Sequence, residues 1–128
     1  MTKSPSRPRK RKNAASPSSE LALAVAAAAD KKALDLIVLD LRRASAFTDY
    51  FVICTGANAR QVKAVADAIQ DALAKKHVKP AIVEGQGKAD WVLIDYFDFV
   101  VHIFTPATRD FYGLERLWGD AERVEVSA

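Results

Sequence analysis

The chain has 128 residues, enough for one domain with one core, and half of them are hydrophobic. Its formal charge of +3 averages two unlike parts: residues 1–19 hold six basic residues and no acid, while the remainder holds 13 Lys and Arg against 16 Asp and Glu. That balance excludes a folded domain that is itself a basic nucleic-acid binder. No apolar run reaches the length of a membrane span, and no secretory leader pattern is expected at the N-terminus. Cys54 is the single cysteine, so no internal disulfide is available and a reducing, cytoplasmic setting is expected.

Residues 1–19 are rich in Ser, Pro and basic side chains, with no large apolar residue after Met1. Nothing there offsets the entropy of ordering, which predicts a disordered basic arm. Such an arm serves either as a weak electrostatic tether to an anion such as rRNA or as a solubilising extension. Residues 20–128 are predicted to form one α/β domain.

Ser19 can cap a helix from Glu20 to about Lys31, small and apolar on most sides, with Glu20 near the positive end of the helix dipole. Leu34–Leu41 is predicted to be a strand covered on both faces at its middle. A turn over Arg42–Phe47 leads to a central strand, Thr48–Thr55, which Gly56 ends. Asn58 then reads as an N-cap with Gln61 as its capping-box partner. The helix from Ala59 to about Lys76 places Val62, Val65, Ala66, Ile69, Ala72 and Leu73 on one face, with Asp71 and Lys75 at ion-pair spacing on the other. Pro80 stops it. Ala81–Glu84 is a third strand, and Gly85-Gln-Gly-Lys88 is a loop.

Next comes a hairpin, Trp91–Asp95 and Asp98–Phe104, predicted to turn tightly at Tyr96-Phe97 with Asp95 opposite Asp98 and Trp91 opposite His102. Alternation gives one wholly apolar face, Val92, Ile94, Phe99, Val101 and Ile103. The other face carries Trp91, Leu93, Asp95, Asp98, Val100 and His102. A large aromatic, two carboxylates and an imidazole among small apolar residues suit a surface that is sometimes wet and sometimes covered. Thr105 and Pro106 start a last helix, with Phe111, Leu114 and Trp118 on one stripe and Gly113 inside it. Residues after Trp118 are predicted to fray. The order α-β-β-α-β-β-β-α implies an α/β domain with a mixed sheet of about five strands.

The residues of an enzyme are hard to assemble here. Two histidines and one cysteine do not make a metal site, and no cofactor site is expected. Gly85-Gln-Gly-Lys88 lacks P-loop spacing and precedes a strand. The strand-Gly-helix arrangement at Gly56 also suits nucleotidyltransferase-like folds, but the chain has no Asp-x-Asp or Glu-x-Asp pair to hold their metal. Cys54 lies mid-strand and reads as buried and structural. His102 reads as a half-buried strand residue hydrogen-bonded to a neighbour. The sequence therefore predicts a binding protein, and the mixed face of the hairpin is its best surface.

Five segments in order carry a resemblance: Thr48-Asp-Tyr-Phe-Val-Ile-Cys-Thr-Gly56; Arg60-Gln-Val62; Val83-Glu-Gly85; Trp91-Val-Leu-Ile-Asp-Tyr96 with Asp98 and Val100-Val-His102; and Arg109-Asp-Phe-Tyr-Gly-Leu-Glu-Arg-Leu-Trp118. Together they resemble the ribosomal silencing factor family (RsfS, or iojap) over about Glu20–Ala121. The resemblance implies a nucleotidyltransferase-like fold without catalytic residues. It implies docking on the large ribosomal subunit through ribosomal protein L14, which blocks subunit joining and represses translation. It also implies that organellar relatives act in large-subunit assembly and that members can form homodimers. Carried over by residue, the partner-binding set includes Trp91, Asp95, Tyr96 and Asp98, and His102 matches the Val-Val-His histidine. Many members have Gly where this chain has Phe97, which predicts a wider turn here. A nucleotidyltransferase-like enzyme and an assembly factor are the alternatives.

Overall fold

The structure is a computed structural model that describes residues 18–44 and 46–125. Apart from Ser18 and Ser19, the basic arm lies outside the described residues. The elements are α1 (Ser19–Asp30), β1 (Leu34–Asp40), β2 (Tyr50–Thr55), α2 (Ala59–Ala74), β3 (Ile82–Glu84), β4 (Trp91–Asp95), β5 (Phe99–Phe104), α3 (Pro106–Tyr112), α4 (Leu114–Leu117) and β6 (Glu122–Arg123). They form one mixed sheet in the order β3-β4-β5-β2-β1-β6. β2 and β5 run parallel at its centre, and every other pairing is antiparallel.

The central position of β2 and β5 follows from their composition. Both are buried along their full length, as continuous apolar runs covered on both faces must be. β4 instead alternates, with Val92 and Ile94 buried and Trp91, Leu93 and Asp95 half-buried between them. One sheet face presents Val38, Tyr50, Val52, Cys54, Val92, Ile94, Phe99, Val101 and Ile103 to α1 and α2. Helix α2 meets it with Val62, Val65, Ala66, Ile69 and Leu73, at the spacing the sequence predicts. Each fully buried Val, Leu or Ile there contributes about 1.5–3 kcal/mol. The other face carries a smaller core of Leu39, Leu41, Phe51, Ile53, Val100 and Phe104, partly covered by Leu114 and Trp118.

Capping follows the sequence closely. Asn58 Oδ1 accepts from the Gln61 N–H at 3.0 Å, and Gln61 Oε1 accepts from the Ala57 N–H at 2.7 Å, a reciprocal box whose return bond falls one residue early. The Gln61 amide also donates to the carbonyls of Lys31 and Lys32, fastening the end of α1. The cap of α1 is Ser18 rather than Ser19, its hydroxyl accepting from the Leu21 N–H at 3.2 Å. Asp71 and Lys75 form no ion pair among the described residues; exposed side chains at that spacing gain little by meeting.

Four expectations are corrected. The sheet has six strands, because Glu122–Arg123 pairs with Leu39 and Asp40 instead of fraying. The hairpin register is displaced by two: Asp95 faces Val100, Leu93 faces His102 and Trp91 faces Phe104. A slip of two preserves the faces, so both side-chain sets stand. Gly113 is not a helix interior. It adopts φ +54°, ψ +43° and ends α3, since glycine alone takes the left-handed region without steric cost. Phe111 then leaves the predicted stripe and is exposed, while Leu114 and Trp118 stay against the core.

The hairpin turn explains the register. It is not the wider turn that Phe97 predicts but a two-residue connection moved one position along: the Tyr96 N–H donates to the Phe99 carbonyl at 2.9 Å, leaving Phe97 and Asp98 at the tip, with Phe97 at φ +70° and the Asp98 N–H donating to the Tyr96 carbonyl at 2.9 Å. That conformation disfavours a residue with a Cβ by about 1 kcal/mol or more. Three contacts hold it. Asp95 Oδ1 accepts from the Phe97 N–H at 2.8 Å, Thr48 donates its hydroxyl to the Phe97 carbonyl at 2.7 Å, and the Asp98 carbonyl accepts from the Asp49 and Tyr50 N–H groups.

Candidate docking surface

The half-covered sheet face collects the polar and aromatic residues that the apolar core does not use. Trp91 opens β4 after the Gly85 turn. Gly85 has φ +87°, and a Cβ there would collide with the Trp91 carbonyl, so glycine is what lets the chain enter β4 at this point. The indole lies between two rings, Phe104 at 5.0 Å and 30° and Tyr112 at 4.7 Å and 45°. Its Nε1–H donates to His102 Nδ1 at 3.2 Å. Trp91 and His102 are diagonal rather than direct cross-strand neighbours, a separation that large rings can span.

His102 is only 4 % exposed. Its ring meets Phe51 edge-on at 4.5 Å, and Phe51 in turn meets Trp118 edge-on at 5.9 Å. An aromatic row thus crosses the sheet from Tyr112 through Trp91 and His102 to Trp118. Burial pushes the imidazole down to about 4, so it is neutral at physiological pH. Its Nε2 has no hydrogen-bond partner among the described residues.

The residues predicted for the surface separate into groups. Trp91, Leu93, Val100 and His102 share the half-covered face, with Trp91 and Leu93 half-buried and Val100 and His102 buried. Asp95 is half-buried beside them, one carboxylate oxygen committed to the turn. Asp98 is exposed at the tip. Tyr96 goes to the opposite side: it joins the core beneath α1 and α2, stacked on Phe99 at 5.1 Å. Burial pushes its phenol up to about 12, and its hydroxyl has no partner among the described residues.

Sequence reasoning missed two contributors. Tyr112, at the end of α3, lies on the Trp91 indole and is half exposed. Its signal was present in the Arg109–Trp118 segment, but a continuous helix through Gly113 hides it. Arg109 is the second. Its guanidinium donates to Glu115 at 2.9 and 3.1 Å, to the Asp35 carbonyl at 2.8 Å and to the Thr55 hydroxyl at 2.9 Å. It thereby fastens α3 and α4 to the ends of β1 and β2. Thr108 adds a bond from its hydroxyl to the Asp90 carbonyl at 2.6 Å, fixing α3 beside Trp91.

Around this face the chain exposes Phe47, Ile82, Phe97, Phe111, Tyr112 and Leu117. Large apolar side chains rimming a half-covered aromatic row make this face the best candidate for an interaction surface. The chemistry of a reaction site is sparse beside it. Cys54 is buried on the helix side, where burial pushes its thiol up to about 12 against the opposing charge of Arg109, so it is protonated. Among the described residues no three His, Cys, Asp or Glu side chains gather as a metal-holding group. No helix among them is long and apolar enough to cross a membrane.

The family model described as "Ribosomal silencing factor during starvation" matches residues 14–128. The ribosomal silencing factor RsfS of Bacillus subtilis is 44 % identical over 106 residues, covering 83 % of this chain and 90 % of that protein. The RsfS of Halalkalibacterium halodurans is 42 % identical over 106 residues, covering 83 % and 91 %. The crystal structure of a protein from Chromobacterium violaceum superposes with a TM-score of 0.76 at 36 % identity, covering 85 % of this chain and 90 % of that one. With the same fold and this much shared sequence along the domain, the chain belongs to the ribosomal silencing factor family.

Proposed function

We propose that the chain silences ribosomes by docking on the large subunit through ribosomal protein L14, so that the small subunit cannot join and translation is repressed. The observation that carries this reading is the half-covered aromatic face centred on Trp91, in a chain of this family. Trp91 is the anchor, since partly buried aromatics dominate interface energy. Leu93, Tyr112 and the apolar rim supply the surrounding contact. Asp98 at the exposed tip, with Asp95 beside it, supplies negative charge suited to a basic ribosomal protein. Val100 and His102 support the face from below. The action is occupancy of a surface and requires no covalent step.

Sedimentation with separated subunits tests this. The chain is expected to travel with the large subunit alone and to lower the yield of joined ribosomes. Trp91→Ala is expected to weaken binding to the large subunit by about 2 kcal/mol or more, with the backbone signal in far-ultraviolet circular dichroism retained because the core beneath α1 and α2 is untouched. Unchanged co-sedimentation of that variant removes Trp91 as the anchor.

A further inference from the structure

His102 occupies a position where an apolar residue would be the simpler solution. It is at the centre of the sheet, paired on one side with Ile53 and on the other with Leu93. Its neighbours on the same face of β5, Val100 and Phe104, are apolar and buried. A buried imidazole there leaves Nε2 without a partner among the described residues, which is a cost in stability that Phe or Leu would avoid. What His102 offers is Nδ1, the acceptor for the Trp91 indole N–H at 3.2 Å.

That acceptor is rigidly held. The imidazole sits edge-on to Phe51 at 4.5 Å and parallel to Phe104 at 6.2 Å, with an 11° interplanar angle. The indole has a single donor and no acceptor. Stacking on Phe104 and the tilted contact with Tyr112 restrict the plane of the ring, but an indole turned over within that plane would meet both rings about as well. The bond to Nδ1 distinguishes the two arrangements. It also sets the tautomer: the proton resides on Nε2 and the Nδ1 lone pair points at Trp91.

We infer that His102 is a positioning residue for the docking surface, its Nδ1 fixing which edge of the Trp91 indole faces a basic protein partner on the large subunit. This rests on the reading of Trp91 as the docking anchor. His102 is too buried to touch that partner and acts through Trp91. An indole held in one orientation before encounter loses less freedom on binding, so the effect appears as affinity.

The test uses the full chain labelled with nitrogen-15, with the two indole resonances assigned by Trp118→Phe, and affinity for purified ribosomal protein L14. His102→Phe keeps the ring and removes the acceptor. It is expected to move the Trp91 indole N–H resonance, to speed its exchange with solvent, and to weaken L14 binding about tenfold. His102→Gln, whose side-chain oxygen can accept the same N–H, is expected to restore most of the affinity and the slow exchange. Benzothienylalanine at position 91 removes the donor and leaves His102 in place, and is expected to weaken binding about as much as His102→Phe; it serves where His102→Phe does not fold. If Trp91→Ala loses binding while His102→Phe or the benzothienyl variant keeps full affinity, the positioning role is overturned and the docking surface stands. If Trp91→Ala binds like the unmodified chain, the docking reading falls and the positioning role falls with it. An indole resonance and exchange rate unmoved by His102→Phe overturn the hydrogen bond itself.

Discussion

The neutral imidazole of His102 has a consequence for the stability of the fold. Burial lowers its pKa from the ordinary 6.5 to about 4 in the folded state. Between those values the unfolded chain binds a proton that the folded chain does not, so acid favours unfolding. The stability tied to this group is complete above about pH 6.5 and is lost as pH falls towards 4. The full loss is about 3 kcal/mol. Urea melts between pH 7 and 4 are expected to show this decline, and His102→Phe is expected to flatten it through that window. Asp40 also sheds stability in acid, because its hydrogen bonds from Arg42 hold its carboxyl below the usual range, but at lower pH. Tyr96 gives the contrasting case. Its buried hydroxyl has no partner among the described residues, so Tyr96→Phe removes an unmet polar group and keeps the ring on Phe99. Stability is expected to stay unchanged or rise by up to about 1 kcal/mol in a thermal melt. A loss above 1 kcal/mol shows that the hydroxyl is satisfied in solution.

At the scale of elements, α3 and α4 are short, and neither buries a residue completely. Helices of this length have little stability of their own. They are held over Trp91 by the Gly113 turn, the Thr108 bond to Asp90 and the Arg109 guanidinium. Glu115 registers the last of these: burial alone would raise its pKa, and the hydrogen bonds and charge of Arg109 outweigh that and bring it below the usual range. Arg109→Met is expected to destabilise the domain by about 2–3 kcal/mol. In the same variant an NMR titration is expected to find the Glu115 carboxyl higher than in the unmodified chain, since burial is then opposed only by its backbone hydrogen bond and the charge of Arg123. These contacts also show what the sequence could reveal. The side-chain faces of β4 and β5, the α2 stripe and the Asn58 cap were legible because each depends on residues a few positions apart. The hairpin register was not, because Thr48 reaches its turn across 49 residues of chain and Asp49 and Tyr50 bind it as well. β6 was invisible for a different reason: two polar residues have no periodicity, and only the free edge of β1 makes them a strand. The hairpin face around Trp91 is mixed, as its alternation predicts, but Tyr96 pairs with Phe99 on the helix side because the turn sits one position further along.

Taken whole, the molecule is divided in charge, with a basic arm and an acidic remainder. If the acidic domain itself recognises a basic partner, salt should act chiefly on the rate of encounter. Charges separated by more than about 8 Å are screened at physiological ionic strength, whereas apolar contact around Trp91 is not. The arm makes the opposite demand: six basic residues contacting rRNA would make affinity itself fall steeply with salt. Removing residues 1–17 separates the two. The cut spares Ser18, whose hydroxyl caps α1, so the first helix should keep its start. The shortened chain is expected to melt at the same temperature and to sediment with the large subunit at physiological salt, with dissociation unchanged and association slowed as salt rises. Loss of sedimentation with an unaltered melt would instead make the arm the principal tether and reduce the Trp91 face to a secondary contact.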